Sequence, residues 1–256
     1  MSIKNINLII PAAGKGSRFA NAGWKKPKPF IDVNKKPMLE RVIDNVSPKN
    51  SKIHLLLNSE HIKSNSDIEQ SLSNKVDTIT KVDQITEGTA CTVLLVKDKI
   101  NNSNPMMVAN SDQLVDFDVD DYISDCINRE LDGSILVFKD KKKDPKWSFA
   151  RLNSDELVCE VAEKKAISDL ATVGVYFFSK GSDFVAAAEE MISKNDRVNG
   201  EFYTCPVYNY MIKNDLKIGV YEISFESMHG IGTPEDLNLY LEKINGFPSV
   251  DRPTKK

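Results

Sequence analysis

Residues 8–19 read Leu-Ile-Ile-Pro-Ala-Ala-Gly-Lys-Gly-Ser-Arg-Phe, an apolar run that passes straight into small residues, two glycines and a cation. Gly14, Gly16 and Ser17 allow bare backbone to come close to a ligand, and Arg18 adds fixed positive charge beside it. Lys28 follows between Pro27 and Pro29, which stiffen its backbone. A stiffened cation near a glycine loop suits a clamp on a polyphosphate. The same residues could also form a plain turn beside a solvated cluster of Lys25, Lys26 and Lys28. Gly14-x-Gly16-x-x-Phe19 lacks the third glycine of a dinucleotide fingerprint, and the Walker A spacing fails as well. A second polar cluster, Asn110-Ser111-Asp112, ends another apolar run. It reads either as a turn or helix cap, or as a carboxylate holding Mg²⁺ between phosphate oxygens.

Both clusters need rigid elements behind them. The unbroken apolar character of residues 6–10 predicts a buried strand with helices on both sides. Pro37 opens a predicted helix in which Met38, Leu39, Val42, Ile43 and Val46 share one face. Strands are expected at 53–57, 76–82, 105–109 and 134–139. They alternate with helices at 60–73, from Gly88 to about 96, and from Asp118 to about 130, the last with Ile123 and Ile127 inward. Strand–helix alternation argues for a parallel, doubly wound sheet, and ligands on such sheets sit at the carboxyl edge of the strands. Both polar clusters fall at that edge. The second half is less regular: a hairpin of 148–152 and 157–162, a strand at 173–178, helices at 182–192 and 203–213, a strand at 218–223 and a last helix from Pro234. The expected fold is therefore α/β, a Rossmann-like, mainly parallel mixed sheet flanked by helices. One domain over residues 1–250 is expected, with a regular first half to about 140, a less regular second half over 141–245 and a loose tail at 251–256.

Composition narrows the partners. The 256 residues are 41% hydrophobic and 28% charged, as in an ordinary soluble globule. A net charge of −3 argues against a nucleic-acid binder. No apolar run approaches the roughly 20 residues of a membrane span, and the N-terminus lacks signal-peptide features. Cys91, Cys126, Cys159 and Cys205 are scattered, as reduced cytoplasmic thiols would be. His54, His61 and His229 are equally scattered and form no histidine-rich metal site. A homo-oligomer is compatible with the sequence. Two further places in the chain invite two readings. Asn199-Gly200-Glu201 either caps a helix or offers Asn199 and Glu201 to acceptor hydroxyls, and Trp147 is either a cleft wall or a packing aromatic.

With Lys28-Pro29-Phe30 and Lys36-Pro37-Met38-Leu39, the N-terminal segment resembles the signature of the nucleotidyltransferases that make nucleoside-diphosphate sugars. Gln84, Glu87-Gly88-Thr89-Ala90, Asn110-Ser111-Asp112, Glu163-Lys164, Val173-Gly174-Val175-Tyr176 and Gly232-Thr233-Pro234-Glu235-Asp236 fall in that family's order. The likeness spans roughly residues 3–245 and implies the short form, without a β-helix acyltransferase extension. It implies a nucleoside triphosphate, a phosphorylated sugar or polyol and Mg²⁺ as partners, with a product for surface-glycan synthesis. Residue by residue, it implies that the segment Ala12, Ala13, Gly14, Lys15, Gly16 and Ser17, with Asn110, holds the nucleotide. Arg18 would hold pyrophosphate, Lys28 the reacting phosphates, and Gln84, Gly88 and Thr89 the base. Asp112 would bind the metal, and Glu163, Lys164 and Gly174 the acceptor. The chain departs from the pattern at Ser227–Thr233, where Gly230 stands in the place of an aspartate that ligates the metal in many relatives. His229 is then a further candidate ligand, or else a structural or substrate-contacting residue. A cytidylyltransferase for a non-sugar phosphate, such as phosphocholine or a glycerol phosphate, and a non-catalytic nucleotide-binding homologue are the alternative readings.

Overall fold

A computed structural model describes residues 5–245. Its strands are β1 (Asn7–Ala12), β2 (Asp32–Val33), β3 (Lys36–Pro37), β4 (Lys52–Asn58), β5 (Thr78–Val82), β6 (Met106–Ala109), β7 (Gln113–Val115), β8 (Gly133–Lys139), β9 (Ser148–Leu152), β10 (Val158–Glu163), β11 (Leu170–Phe178), β12 (Ile218–Ile223) and β13 (Met228–Gly230). Nine of them form one mixed sheet. β5, β4, β1 and β6 run parallel in that spatial order. β11 then pairs antiparallel with β6 and β8, and β12 runs parallel to β8.

Alternation along the strands builds two cores. In β1, Leu8 and Ile10 enter one hydrophobic layer and Ile9 the other, all with no exposed surface. β4 repeats this with Leu55 and Leu57 against Leu56, and β8 with Leu136 and Phe138 against Ile135 and Val137. A strand buried on both faces needs apolar residues of both parities, which is why these segments read as unbroken apolar runs. The first layer is completed by the helices Met38–Val46, Val119–Asn128 and Pro234–Asn245, and the second by Thr89–Leu94, Gly181–Ser193 and Val207–Lys213. Each fully buried Leu, Ile or Phe contributes about 1.5–3 kcal/mol of transfer free energy, so the flanking helices are held by packing rather than by propensity. No described helix is long and apolar enough to cross a membrane. All four cysteines are free.

β11 makes a fork. Its C-terminal part, Val175–Phe178, pairs with β6, while Leu170 and Ala171 pair with β9. β8 follows the other edge, with a register shift between Thr172 and Tyr176. The sheet therefore opens around Thr172–Gly174, beside the carboxyl end of β6.

Several elements differ from the expectation. The single helix expected over 60–73 is two, Ser59–Lys63 and Ser66–Ser73. Asn65 breaks it with φ −147° and ψ 53°, and its side-chain amide donates to the His61 carbonyl at 2.9 Å, the competition with backbone bonding that Asn brings to helices. Ile127, expected inward, is 43% exposed, because Tyr122, Ile123 and Cys126 form the buried stripe instead. The helix expected over 203–213 begins only at Val207. Two short ribbons, β2–β3 and β7–β13, went unforeseen because two or three residues carry no readable period. The expected tail at 251–256 lies outside the described residues.

Candidate active site

A cleft of about 460 Å³ opens at the carboxyl ends of β1 and β6 and reaches into the fork of β11. The parallel pairing of Asn7 with Met106 and Ile9 with Val108 brings the glycine loop after β1 and the Asn110–Asp112 cluster after β6 side by side. One wall is the loop from Ala12 to Arg18. Phe19 and Trp24 meet edge to face with centroids 5.5 Å apart and anchor the short helix that follows it. Gly16 has φ 64° and lies directly on Lys28, whose Cβ would be only 2.9 Å from a Cβ placed on the glycine. A side chain there would push the two motifs apart, so Gly16 is what lets the loop and the lysine share one site. Gly14 faces open space.

Lys28 sits in a tight turn, closed by the Phe30 amide donating to the Pro27 carbonyl at 2.8 Å, with Pro29 and Phe30 buried. Its ammonium donates to Asp112 Oδ2 at 2.5 Å. Asp112 is held from behind by the β7–β13 ribbon: its carbonyl accepts the Ile231 amide at 3.0 Å. Gly232 makes room for the carboxylate, since a Cβ there would stand 2.6 Å from Oδ2. Asn110 accepts no crowding either, because Gly174, at φ 90°, would place a Cβ 2.3 Å from its Nδ2. The Asn110 amide in turn donates to the Gly174 carbonyl at 2.9 Å.

At the far end, Ser148 donates to the Glu163 carboxylate. Burial raises the Glu163 pKa above its ordinary value, against the lowering effect of the Ser148 hydroxyl and of Lys164. Lys164 donates to the Tyr203 hydroxyl at 2.6 Å. Trp147 lines the cleft and also packs edge-on against Phe138, with centroids 5.4 Å apart, so both readings of it hold together. Behind Thr89, Gly88 has φ 134° and its missing Cβ would lie 2.3 Å from the Phe202 carbonyl oxygen. Thr89 Oγ1 accepts from the Thr204 amide at 3.0 Å.

The cleft gathers Ala12, Gly14, Gly16, Arg18, Lys28, Thr89, Asn110, Asp112, Glu163, Lys164 and Gly174 from the sequence-based set. Others stand outside its lining. Ala13 packs in the second core, and Lys15, Ser17 and Gln84 are exposed beside the cleft rather than in it. Gly88 shapes the wall behind Thr89. Asn199 and Glu201 do not cap the helix, which begins at Val207, and they stand outside the cleft lining, although Glu201 is near enough to Glu163 and Tyr203 to push the pKa of both upward. Asn199 (φ 49°) and Gly200 (φ 82°) instead make the tight turn between Val198 and Glu201, the left-handed pair that an Asn-Gly turn favours. His229 also stands apart from the lining: its Nε2 bonds Asp116 Oδ2 at 2.8 Å and its ring lies against Tyr240. It ties β13 to the end of β7.

Sequence reasoning missed Gln113. It is 6% exposed, lines the cleft, and its Nε2 is buried without a hydrogen-bond partner in the protein. The only signal was its place immediately after Asp112. Tyr176, Thr204 and Asp236 also line the cleft; Tyr176 and Asp236 belong to segments that carry the family resemblance, and the sequence assigns none of the three a site role.

A mixed α/β sheet with a glycine loop, a lysine and an aspartate at the carboxyl edge agrees with the outcome of comparison with known proteins. The profile described as nucleotidyl transferase matches residues 7–218, and the chain belongs to that family. It is 24% identical over 252 residues to the bifunctional protein GlmU of Methanocaldococcus jannaschii, covering 94% of this chain and 55% of that protein. The corresponding protein of Methanococcus vannielii is 26% identical over 253 residues, 93% of this chain and 56% of its own length. The chain thus spans about half the length of these curated relatives. Among solved structures, the nucleoside-diphosphate-sugar pyrophosphorylase of Vibrio cholerae superposes with a TM-score of 0.76 at 24% identity, covering 92% of this chain and 99% of that one. The inositol-1-phosphate CTP transferase of T. maritima gives a TM-score of 0.73 at 14% identity, over 95% and 96%. These likenesses carry the fold.

Proposed function

We propose that this protein transfers a nucleoside monophosphate from a nucleoside triphosphate to a small phosphorylated sugar or polyol, with release of pyrophosphate. The observation that carries the reading is Lys28: a cation fixed by a proline turn, pressed against the glycine loop through Gly16, and paired with Asp112 in the same cleft. Backbone amides from Ala13 to Ser17 would face the triphosphate, and Arg18 would receive the pyrophosphate. Lys28 would leave Asp112 for the reacting phosphates and neutralise both attacker and leaving group. The attacking phosphomonoester oxygen is already an anion, so no protein nucleophile or base is needed, and catalysis is positioning plus charge neutralisation.

Mg²⁺ fits the donors present. Asp112 offers a hard carboxylate oxygen, Gly232 leaves space beside it, and Mg²⁺ commonly takes one or two carboxylates with phosphates and water. When bound, it would supply charge neutralisation on the phosphate oxygens. The acceptor would lie between Glu163, Lys164 and Gln113, whose unpartnered Nε2 supplies a donor for an acceptor oxygen. Residues to about 140 would then form the nucleotide half of one domain and 141–245 its acceptor half. Synthesis of activated sugars for surface glycans, in the cytoplasm, is the role this chemistry suits best.

A cytidylyltransferase for a non-sugar phosphate is the second reading. Trp147 and Tyr203 beside the Glu163 carboxylate would also suit an acceptor bearing an ammonium group. A screen of CTP, UTP, dTTP and GTP against sugar, polyol and amino-alcohol phosphates, read as pyrophosphate release, separates the two. Release only with amino-alcohol phosphates selects the second reading, and no release with any pair removes both.

A further inference from the structure

We propose that Asp236 is the second protein carboxylate on the divalent cation of this cleft, acting from the space beside Gly230. The inference rests on the nucleotidyl-transfer reading and names a residue which that reading leaves out. Among the described residues the cleft lining contains three carboxylates, Asp112, Glu163 and Asp236. Glu163 is tied to Ser148 at the acceptor end. The other two flank one short turn. A Cβ on Gly232 would lie 2.6 Å from Asp112 Oδ2, and a Cβ on Gly230 would have the Asp236 carboxylate as its nearest neighbour, with Cγ and Oδ2 both at 3.9 Å. Asp236 therefore stands, in the first turn of its helix, within van der Waals range of any side chain that would begin at position 230.

Its present bonds are local. Oδ2, the oxygen nearest Gly230, accepts from the Thr233 hydroxyl at 2.9 Å, and the Asp236 amide donates to that hydroxyl at 3.1 Å. This reciprocal cap leaves Oδ1 for a cation, or Oδ2 if the Thr233 hydroxyl turns away. Charge supplies an independent argument. Asp112 is offset by Lys28, whereas Asp236 has no cationic partner among the described residues. An uncompensated carboxylate in a cleft that takes a triphosphate would repel its ligand. A divalent cation between the two aspartates removes the repulsion and uses the oxygen donors such an ion prefers.

The test is retention of Mn²⁺ in the ternary complex, read by water-proton relaxation with CTP, UTP, dTTP and GTP in turn. Asp236→Asn keeps an acceptor for Thr233 and a closely similar shape, and it is expected to weaken Mn²⁺ retention at least about tenfold with an unchanged melting temperature. Thr233→Ala removes the cap and keeps the carboxylate, and it should retain Mn²⁺ as the wild type does. Gly230 lies in β13 outside the left-handed region, so Gly230→Asp can be added without backbone strain, and Gly230→Asp with Asp236→Asn should restore retention. Wild-type retention in Asp236→Asn overturns the proposal, as does an equal loss in Thr233→Ala, which would mark the residue as a cap only. If even the wild type retains no Mn²⁺ with any triphosphate, and Asp112→Asn changes nothing, the nucleotidyl-transfer reading falls and takes this inference with it.

Discussion

Lys28 has two anionic partners to serve and one ammonium with which to do it. In the free protein it neutralises Asp112; the proposed reaction needs it on phosphate. Lys28→Ala should lower turnover by about 10²–10³-fold or more, the usual cost of removing a preorganised group aimed at developing charge, while circular dichroism and melting remain close to wild type. Glu163 carries a different trade-off. Burial raises its folded pKa above the ordinary 4.5, so the native state binds the proton more tightly than the unfolded chain does. That contribution is fully present below pH 4.5 and is lost as pH rises through the folded value. Glu163→Gln should therefore melt higher than the wild type at neutral pH, with the gap closing as pH falls towards 4.5, while the KM for the acceptor rises. A gap that does not change with pH would remove the ionised carboxylate as the cause. At this scale the sequence was informative where a residue type and its neighbours restrict each other, as with Lys28 between two prolines. It left unread the turn in which Asn199 and Gly200 join Val198 to Glu201.

The elements meet in this cleft because glycines let them touch. Gly88 holds φ 134° against the Phe202 backbone, and Gly174 holds φ 90° against Asn110 and Gln113. Gly88→Ala adds both a strained backbone conformation and a clash with backbone that cannot rotate away, so it should cost at least about 1–3 kcal/mol, measurable as a lower denaturant midpoint, and should raise the KM for the triphosphate. Gly174→Ala meets side chains instead, so its stability loss should be smaller than that of Gly88→Ala, while its effect on acceptor KM should be larger. The long strands and amphipathic helices were legible from period alone. The ribbon of β7 and β13 was not, because three-residue strands carry no period and their pairing joins residues more than 100 positions apart. Yet that ribbon sets Asp112 against Gly232, and it is why Gln113 escaped notice.

Across the whole molecule, the sheet separates two hydrophobic layers and leaves polar chemistry at its edges. On β4, His54 is 4% exposed and bonds Thr78 and Asn7. Burial lowers its pKa below the ordinary 6.5, and it does the same to His61. A histidine kept neutral in the fold contributes stability that is present above pH 6.5 and lost as pH falls through the folded value. The melting temperature should thus decline on acidification below pH 6.5, and His54→Gln should flatten part of that decline; an unchanged slope would assign the loss to other groups. That both polar clusters share the carboxyl edge was foreseeable from strand–helix alternation, whereas the fork of β11, into which the cleft reaches, depends on pairings that only the folded chain reveals. The central claim concerns what happens at that edge, and the most direct measurement is pyrophosphate release in the presence of Mg²⁺, a nucleoside triphosphate and a phosphorylated acceptor, for the wild type and for Asp112→Asn. The account predicts release that requires both substrates and the metal, and that is lost in the variant. Release without an acceptor, or unchanged in Asp112→Asn, would contradict it.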